Sequence, residues 1–245
     1  MVRRLLLSNQ RKLIEVMKAS PGLRFIWPLQ EVSGAVAYDY TENGLNGTIA
    51  GGVNLAQPGP GKKVPLVMSG DGLTGVIAGA AGCSVRGLGS LTMAIVAYVV
   101  DVSGNTFIFY ESVGDNAGYT RLGLVVDAWE KLTLYARSGT SAQAASSVTL
   151  SAALAVPKFY LIHATIDIAT NAMKLFINGL RKTTTGTPNF GGDTIIADTA
   201  PLAGPNLYKS SSAFFAMQAA FFAQWARVLS DREILNQAKA GGFAS

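Results

Sequence analysis

The sequence is short of charge. Asp, Glu, Lys and Arg make up 14% of its 245 residues, against about 25% in ordinary soluble domains. It has one cysteine, Cys83, and one histidine, His163. A lone cysteine excludes an intramolecular disulfide and gives no sign of an oxidising compartment. The same two residues cannot supply a four-ligand zinc site of His and Cys alone. A Ser-His-Asp triad would have to use His163. That residue sits among apolar neighbours in KFYLIHATID, where a core or interface position is expected, and no G-x-S-x-G elbow accompanies it. Phosphate-cradling fingerprints are also missing, because the glycines fall in turns with no Lys-Ser/Thr at the P-loop offset.

Long apolar runs are absent too. The longest, LTMAIVAYVV at 91–100, is half of the roughly 20 residues a spanning helix needs, so no membrane insertion is expected. Leu5-Leu6-Leu7 follows Arg3 and Arg4, but a secretory leader needs about 7–15 apolar residues and a small-residue cleavage site. Export by that route is therefore not expected. So few charges must cover the surface in one of two ways. The sandwich surface is rich in Ala, Gly, Ser and Thr, or part of it is buried in an assembly.

What charge there is lies unevenly. Residues 1–24 hold Arg3, Arg4, Arg11, Lys12, Lys18 and Arg24 against Glu15 alone, which accounts for the whole net charge of +5. The remainder is neutral. Residues 1–22 therefore read as a basic N-terminal arm, and residues 23–245 as one body. SNQRKLIEVMKAS should be helical, with Ser8 as N-cap and Pro21-Gly22 as the stop. Leu13, Val16 and Met17 share one side of it. Three readings stay open: a helix packed on the body with solvated charges, a docking arm for an acidic partner, or a nucleic-acid contact. The last lacks the aromatic residues that base stacking needs.

The body reads as β. Leu91–Val100, Thr106–Glu111, Tyr119–Val126, Lys131–Ala136, Lys158–Asp167, Lys174–Asn178 and Phe214–Arg227 are rich in β-branched or aromatic residues and bounded by turn signals. This spacing suggests an antiparallel sandwich or jelly roll. Asn178-Gly179, between KLFI and LRKT, predicts a two-residue hairpin. Ser103-Gly104-Asn105 should also turn, and SGTSAQAASS should be an exposed loop. In VLSDREILNQAKAGG, Ser230 and Glu233 form a capping box, and Leu229 and Ile234 are placed for a hydrophobic staple. Gly241-Gly242 end that helix, which is expected to be about one turn of lid.

Three stretches then resemble one family. Trp27-Pro28-Leu29, Ser33-Gly34, Asp39, Asn43-Gly44 and Asn46-Gly47-Thr48 lie in the first. HATIDIATNAMKLFINGL (163–180) is the second, and AAFFAQWARVLSDREI (219–234) the third. Together and in this order they resemble concanavalin A-like jelly rolls, specifically laminin-G-like domains of bacterial and phage proteins. The resemblance implies an all-β sandwich with Trp27 and Trp225 in core strands. In the first stretch Arg24–Leu29 should be a strand, Asp39 should fold onto backbone N–H groups, and the two Asn-Gly pairs should supply positive φ.

Some relatives bind calcium at the rim. Asp71 in SGDGLTG is the nearest candidate, but one carboxylate is thin for an ion that takes about six to eight oxygen ligands, so no cofactor is expected. Jelly-roll glycanases share an E-x-D-x-x-E strand motif that is absent here. The closest acid pair, Glu111 and Asp115, is too widely spaced. The chain is therefore expected not to be an enzyme. For sugar contact, Trp129 in VVDAWEKLTL and Tyr119 are the freest aromatic candidates.

The first functional expectation is a structural or attachment protein of a virus particle, in the manner of a tailed phage. It would be made in the host cytoplasm, docked on other virion proteins and copies of itself through Arg3, Arg4, Arg11, Lys12 and Lys18, and would expose a lectin-like sandwich to host-surface glycans. The second is a free glycan-binding module. A glycoside hydrolase is third.

Overall fold

A computed structural model describes residues 8–61, 64–99, 106–112, 120–139, 145–196, 204–207 and 218–244. The chain opens with helix α1 (Ser8–Lys18). The strands that follow are β1 (Leu23–Trp27), β2 (Val36–Ala37), β3 (Gly47–Ala50), β4 (Val53–Gly61), β5 (Val64–Gly70) and β6 (Val76–Gly79), then a 3-10 turn at Ala81–Cys83. Next come β7 (Ser90–Val99), β8 (Thr106–Ser112), β9 (Thr120–Val126), β10 (Leu132–Arg137), β11 (Ala145–Leu150), β12 (Lys158–Asp167) and β13 (Ala172–Ile177). The last elements are β14 (Leu180–Arg181), β15 (Thr184–Thr185), β16 (Asn206–Leu207), β17 (Gln218–Trp225) and helix α2 (Asp231–Ala240).

Two antiparallel sheets form a concanavalin A-like sandwich. Sheet A runs β14-β13-β12-β7-β17-β5-β4, with β1 paired to β17. Sheet B runs β15-β11-β10-β9-β8-β16-β6-β3-β2. The body is thus the all-β sandwich expected, with one short helix near each end of the chain. Alternation sends Leu122, Leu124 and Val126 of β9 and Leu132, Leu134 and Ala136 of β10 inward from sheet B. They meet Met93, Ile95, Ala97, Ile162 and Ala164 from sheet A in the main core. Trp27 is at its centre, stacked on Phe25 with ring centroids 4.6 Å apart and close to Phe222.

A second core lies on the outer face of sheet A. Leu13, Ile14 and Met17 of α1 and Ile234 and Ala238 of α2 pack there over Ile26, Val96, Leu161, Phe176, Phe221 and Trp225. The apolar stripe of the arm is therefore buried, and Lys12, Glu15 and Lys18 are on its exposed side.

Three local details differ from expectation. Helix α2 is ten residues long, about three turns rather than one, because its apolar stripe has a sheet face to cover. Ala145–Ser147 belong to β11 and pair with β10 rather than looping. Gly44 has positive φ, but Gly47 does not; Gly47 is buried in β3, where a Cβ would lie 3.2 Å from the Trp27 ring. Close approach, not turn chemistry, is what requires glycine there. Ser103-Gly104-Asn105 lies outside the described residues.

The stretches that carried the resemblance are structural knots. Asp39 Oδ1 accepts from Ile26 N (3.0 Å) and Thr41 N (2.9 Å), and its Oδ2 accepts from Leu45 N (3.0 Å). Leu45 O in turn accepts the Trp27 indole N–H at 2.7 Å. Asn178 and Gly179 both take positive φ, and a Cβ on Gly179 would come within 2.6 Å of Ala238. The capping box of Ser230 and Glu233 is formed. Arg227 makes a two-point ion pair with Glu233 and donates from Nε to Pro21 O at 2.6 Å. That arginine ties the exit of α1 to the entry of α2.

Candidate functional site

The strand registers place several connections at one end of the sandwich. Val126 pairs with both Leu132 and Thr106, Lys158 with Val99, and Gln218 with Tyr98 and Ser69. Val53 pairs with Gly70, and Ala50 with Val76. The β9–β10 turn, the β11–β12 connection, the β3–β4 turn and the β5–β6 loop therefore share a rim. Among the described residues, the two most exposed large apolar side chains are on it: Trp129 at 72% and Leu73 at 75%. Three strand steps separate β9 from β6 in sheet B, which is about 14 Å.

Both side chains stand on fixed backbone. In the β9–β10 turn, Asp127 Oδ1 accepts from Trp129 N and Lys131 N, each at 2.9 Å. Asp127 N and Lys131 O close the turn at 3.0 Å, and Glu130 O accepts Leu154 N at 2.9 Å from the β11–β12 connection. Glu130 has positive φ. A turn held at both ends presents a planar apolar surface to solvent with little backbone entropy left to lose on binding. Lys158 is exposed at the same rim, with its ammonium 5.7 Å from the Tyr160 ring centroid.

Asp71 does for Leu73 what Asp127 does for Trp129. Its Oδ1 accepts from Leu73 N, Thr74 N and Gly75 N at 2.8–2.9 Å, and its Oδ2 accepts the Thr74 hydroxyl at 3.0 Å. The backbone N–H groups hold this carboxyl well below the usual carboxylate range. The carboxylate flagged for calcium is thus committed to organising its own loop. Among the described residues, no three His, Cys, Asp or Glu side chains are grouped to hold a metal ion.

The remaining sequence candidates are scattered. On α1, Arg11 pairs with Glu15 at 3.0 Å on the exposed side, and Lys12 and Lys18 are exposed beside it. Arg3, Arg4, Tyr119 and Asp115 lie outside the described residues. Trp27 and Trp225 are fully buried. His163 is buried as well, between sheet A and α2; burial pushes its imidazole down to about 4, partly opposed by a hydrogen bond with Gln237.

Two residues escaped sequence reasoning. Tyr135 on β10 is 39% exposed on the outer face of sheet B, between Gly123 and Ser147 and beside the hydroxyl pair of Thr133 and Thr149 (2.8 Å). Strict alternation in LTLYAR, with Leu132, Leu134 and Ala136 inward, was the signal available. Arg121 is fully buried, with Nη1 3.4 Å from Ser84 Oγ. It is the extra residue at a bulge between β8 and β9, and no sequence pattern marks such a bulge.

No family model matches the sequence, and no curated protein matches it. Solved structures do share the fold. Trypanosoma rangeli sialidase superposes with a TM-score of 0.62 at 12% identity, over 94% of this chain and 37% of its own. The binding domain of botulinum neurotoxin DC, solved with rat synaptotagmin II, gives 0.63 at 14% identity, over 90% and 52%. The same domain solved with SialylT gives 0.61 at 13% identity. This chain spans a third to a half of the length of these structures. The expectation that it is not an enzyme is corrected by this comparison. Sialidases are enzymes and contain the same sandwich, so the fold and a missing E-x-D-x-x-E motif do not set the chain apart from them.

Proposed function

We propose that this chain is a recognition module of the laminin-G-like type that binds glycans at the rim carrying Trp129. The observation that carries the reading is the 72% exposure of Trp129 on a turn fixed by Asp127 and by Leu154. Singly exposed apolar side chains are common on protein surfaces. A tryptophan on a pinned turn is different, because its flat face can stack on the apolar face of a sugar ring while Asp127, Glu130, Lys131 and Lys158 offer polar groups around it. The similar structures support a binding role. The T. rangeli sialidase has been solved with sialic acid, and the neurotoxin binding domain with SialylT. Sialylated glycans are therefore the first ligands to try.

The test is a glycan array probed with the native chain and with Trp129→Ala. Binding to a defined glycan class that the variant loses supports the proposal. An array on which native chain and variant behave alike overturns it.

Attachment of a virus particle to its host is the setting that the sequence suggests for such a module. The exposed Lys12 and Lys18 on α1 leave a cationic strip for docking on an acidic partner. None of the structures named above is a virion protein, so this setting rests on the sequence alone. Mass spectrometry of purified particles tests it, and absence of the chain from them would sink it.

A further inference from the structure

Beneath the two helices on sheet A lies one ionisable group. His163 on β12 sits between Ala94 of β7 and Phe176 of β13, fully buried. Its Nε2 lies 2.9 Å from Gln237 Oε1 on α2. Gln237 Nε2 donates to Ser20 Oγ at 3.4 Å, and Ser20 donates to Val16 O in the last turns of α1 at 3.2 Å. One chain of polar groups thus links the sheet, the C-terminal helix and the N-terminal helix across an otherwise apolar cluster. The bond to a carbonyl oxygen puts the neutral ring's proton on Nε2. Nδ1 is buried and has no hydrogen-bond partner among the described residues.

Protonation would give Nδ1 a hydrogen with no acceptor and place a positive charge in apolar surroundings. Among the described residues, no carboxylate is hydrogen-bonded to the ring. On α2, Asp231 faces Lys174 of β13 at 3.9 Å, Glu233 is engaged by Arg227, and Arg232 and Lys239 are exposed. On α1, Glu15 pairs with Arg11, and Lys12 and Lys18 are exposed. On β12 itself, Asp167 accepts from Thr170 N at 3.3 Å and Lys158 is exposed. Strand β7 has no charged residue. At the seam between helix and sheet a shallow crevice is lined by Gln10, Leu13 and Ile14 on one side and Val96, Ala220 and Phe221 on the other.

We propose that His163 is an acid-operated latch: its protonation releases the α1–α2 layer from sheet A and uncovers the apolar face beneath, while the sandwich itself persists. Among the described residues, the buried ionisable side chains besides His163 are Cys83, Arg121 and Tyr160, none of them a carboxylate or a second histidine, so acid acts first on the outer layer. An imidazole that titrates near 6.5 when released and near 4 when latched shifts the latched-to-released ratio by on the order of a few hundredfold across that window. The latched state loses stability as pH falls from 6.5 to 4, with no further loss from this group below 4.

His163 is the sole histidine, so its ring carbon–proton NMR signal reports one site. The native chain should show an imidazole midpoint well below 6.5. Binding of an apolar dye and a change in the fluorescence of Trp225 should share that midpoint, with the β signal in circular dichroism retained. His163→Gln should lose the dye-binding step between pH 6.5 and 4. The proposal is overturned if the ring titrates near 6.5 without dye binding, if the two midpoints differ, or if the β signal collapses with the ring titration. Persistence of the step in His163→Gln also overturns it. Should that variant not fold, the agreement or disagreement of midpoints in the native chain decides.

Discussion

Asp39 and Asp127 do the same local chemistry with opposite results. Each uses carboxylate oxygens to gather backbone N–H groups of a turn. Around Asp39 the gathered chain brings Leu45 O to the indole of Trp27, and that ring goes to the centre of the main core. Around Asp127 the gathered chain holds Trp129 out into solvent. The first turn closes the fold, with both Asp39 carboxylate oxygens engaged by backbone N–H groups. The second spends as much order on a side chain that contributes almost nothing to the core. Singly exposed apolar side chains are ordinary, so it is the pinned turn beneath Trp129 that separates this rim from the closure region.

Substitutions should break the two regions in different currencies. Trp27→Ala removes a fully buried ring and should destabilise the chain by about 3–5 kcal/mol. Urea unfolding measures this, and a cost under about 1 kcal/mol would mean the ring is not a core element. Asp39→Ala leaves three backbone N–H groups and the Thr41 hydroxyl without their acceptor, and should cost about 2–3 kcal/mol by the same assay.

Acid probes the closure at the C-terminal knot. The Arg227 guanidinium holds the Glu233 carboxyl down to about 2. The folded carboxyl thus titrates below its unfolded value, so the stability it lends is present above about 4.5 and lost as pH falls through about 2. Glu233→Gln should flatten the pH dependence of the unfolding midpoint in that range and leave it unchanged near neutrality in slope. Asp127→Ala should cost only about 1 kcal/mol, since its turn is open to water, yet should weaken glycan binding about tenfold because the tryptophan is no longer pre-positioned. A loss of stability as large as that of Asp39→Ala would erase the contrast between the two turns.

The sequence revealed elements whose signals are local. β12 starts and ends where its apolar run does, at Lys158 and Asp167. Asn178-Gly179 marks the β13–β14 hairpin because two consecutive positive φ values favour that pair. The capping box at Ser230 works within four residues. Elements defined by distant partners were hidden. VNLAQPGPG contains proline and glycine and reads as loop, but it forms β4 because an edge strand tolerates a missing donor. β2, β3, β15 and β16 are too short to leave a periodic pattern. Helix α1 was legible as a helix, but its place against α2 was not, since the expected stripe of Leu13, Val16 and Met17 does not say what it covers, and Ile14 is buried where Val16 is only half-buried.

The site was less legible than the fold. Trp129 stood out as an aromatic outside the family-like core strands, and the structure places it exposed on the β9–β10 turn. The common rim with Leu73 follows only from the pairing of the strands. Gln237 lies 74 positions from His163, and nothing in either local pattern points to the other.

The most direct measurement is the affinity of the native chain and of Trp129→Ala for one glycan that the native chain binds, taken together with their unfolding midpoints. A recognition rim predicts that the variant loses at least about tenfold in affinity while its stability stays within about 0.5 kcal/mol of the native chain. Unchanged affinity in an equally stable variant would contradict it.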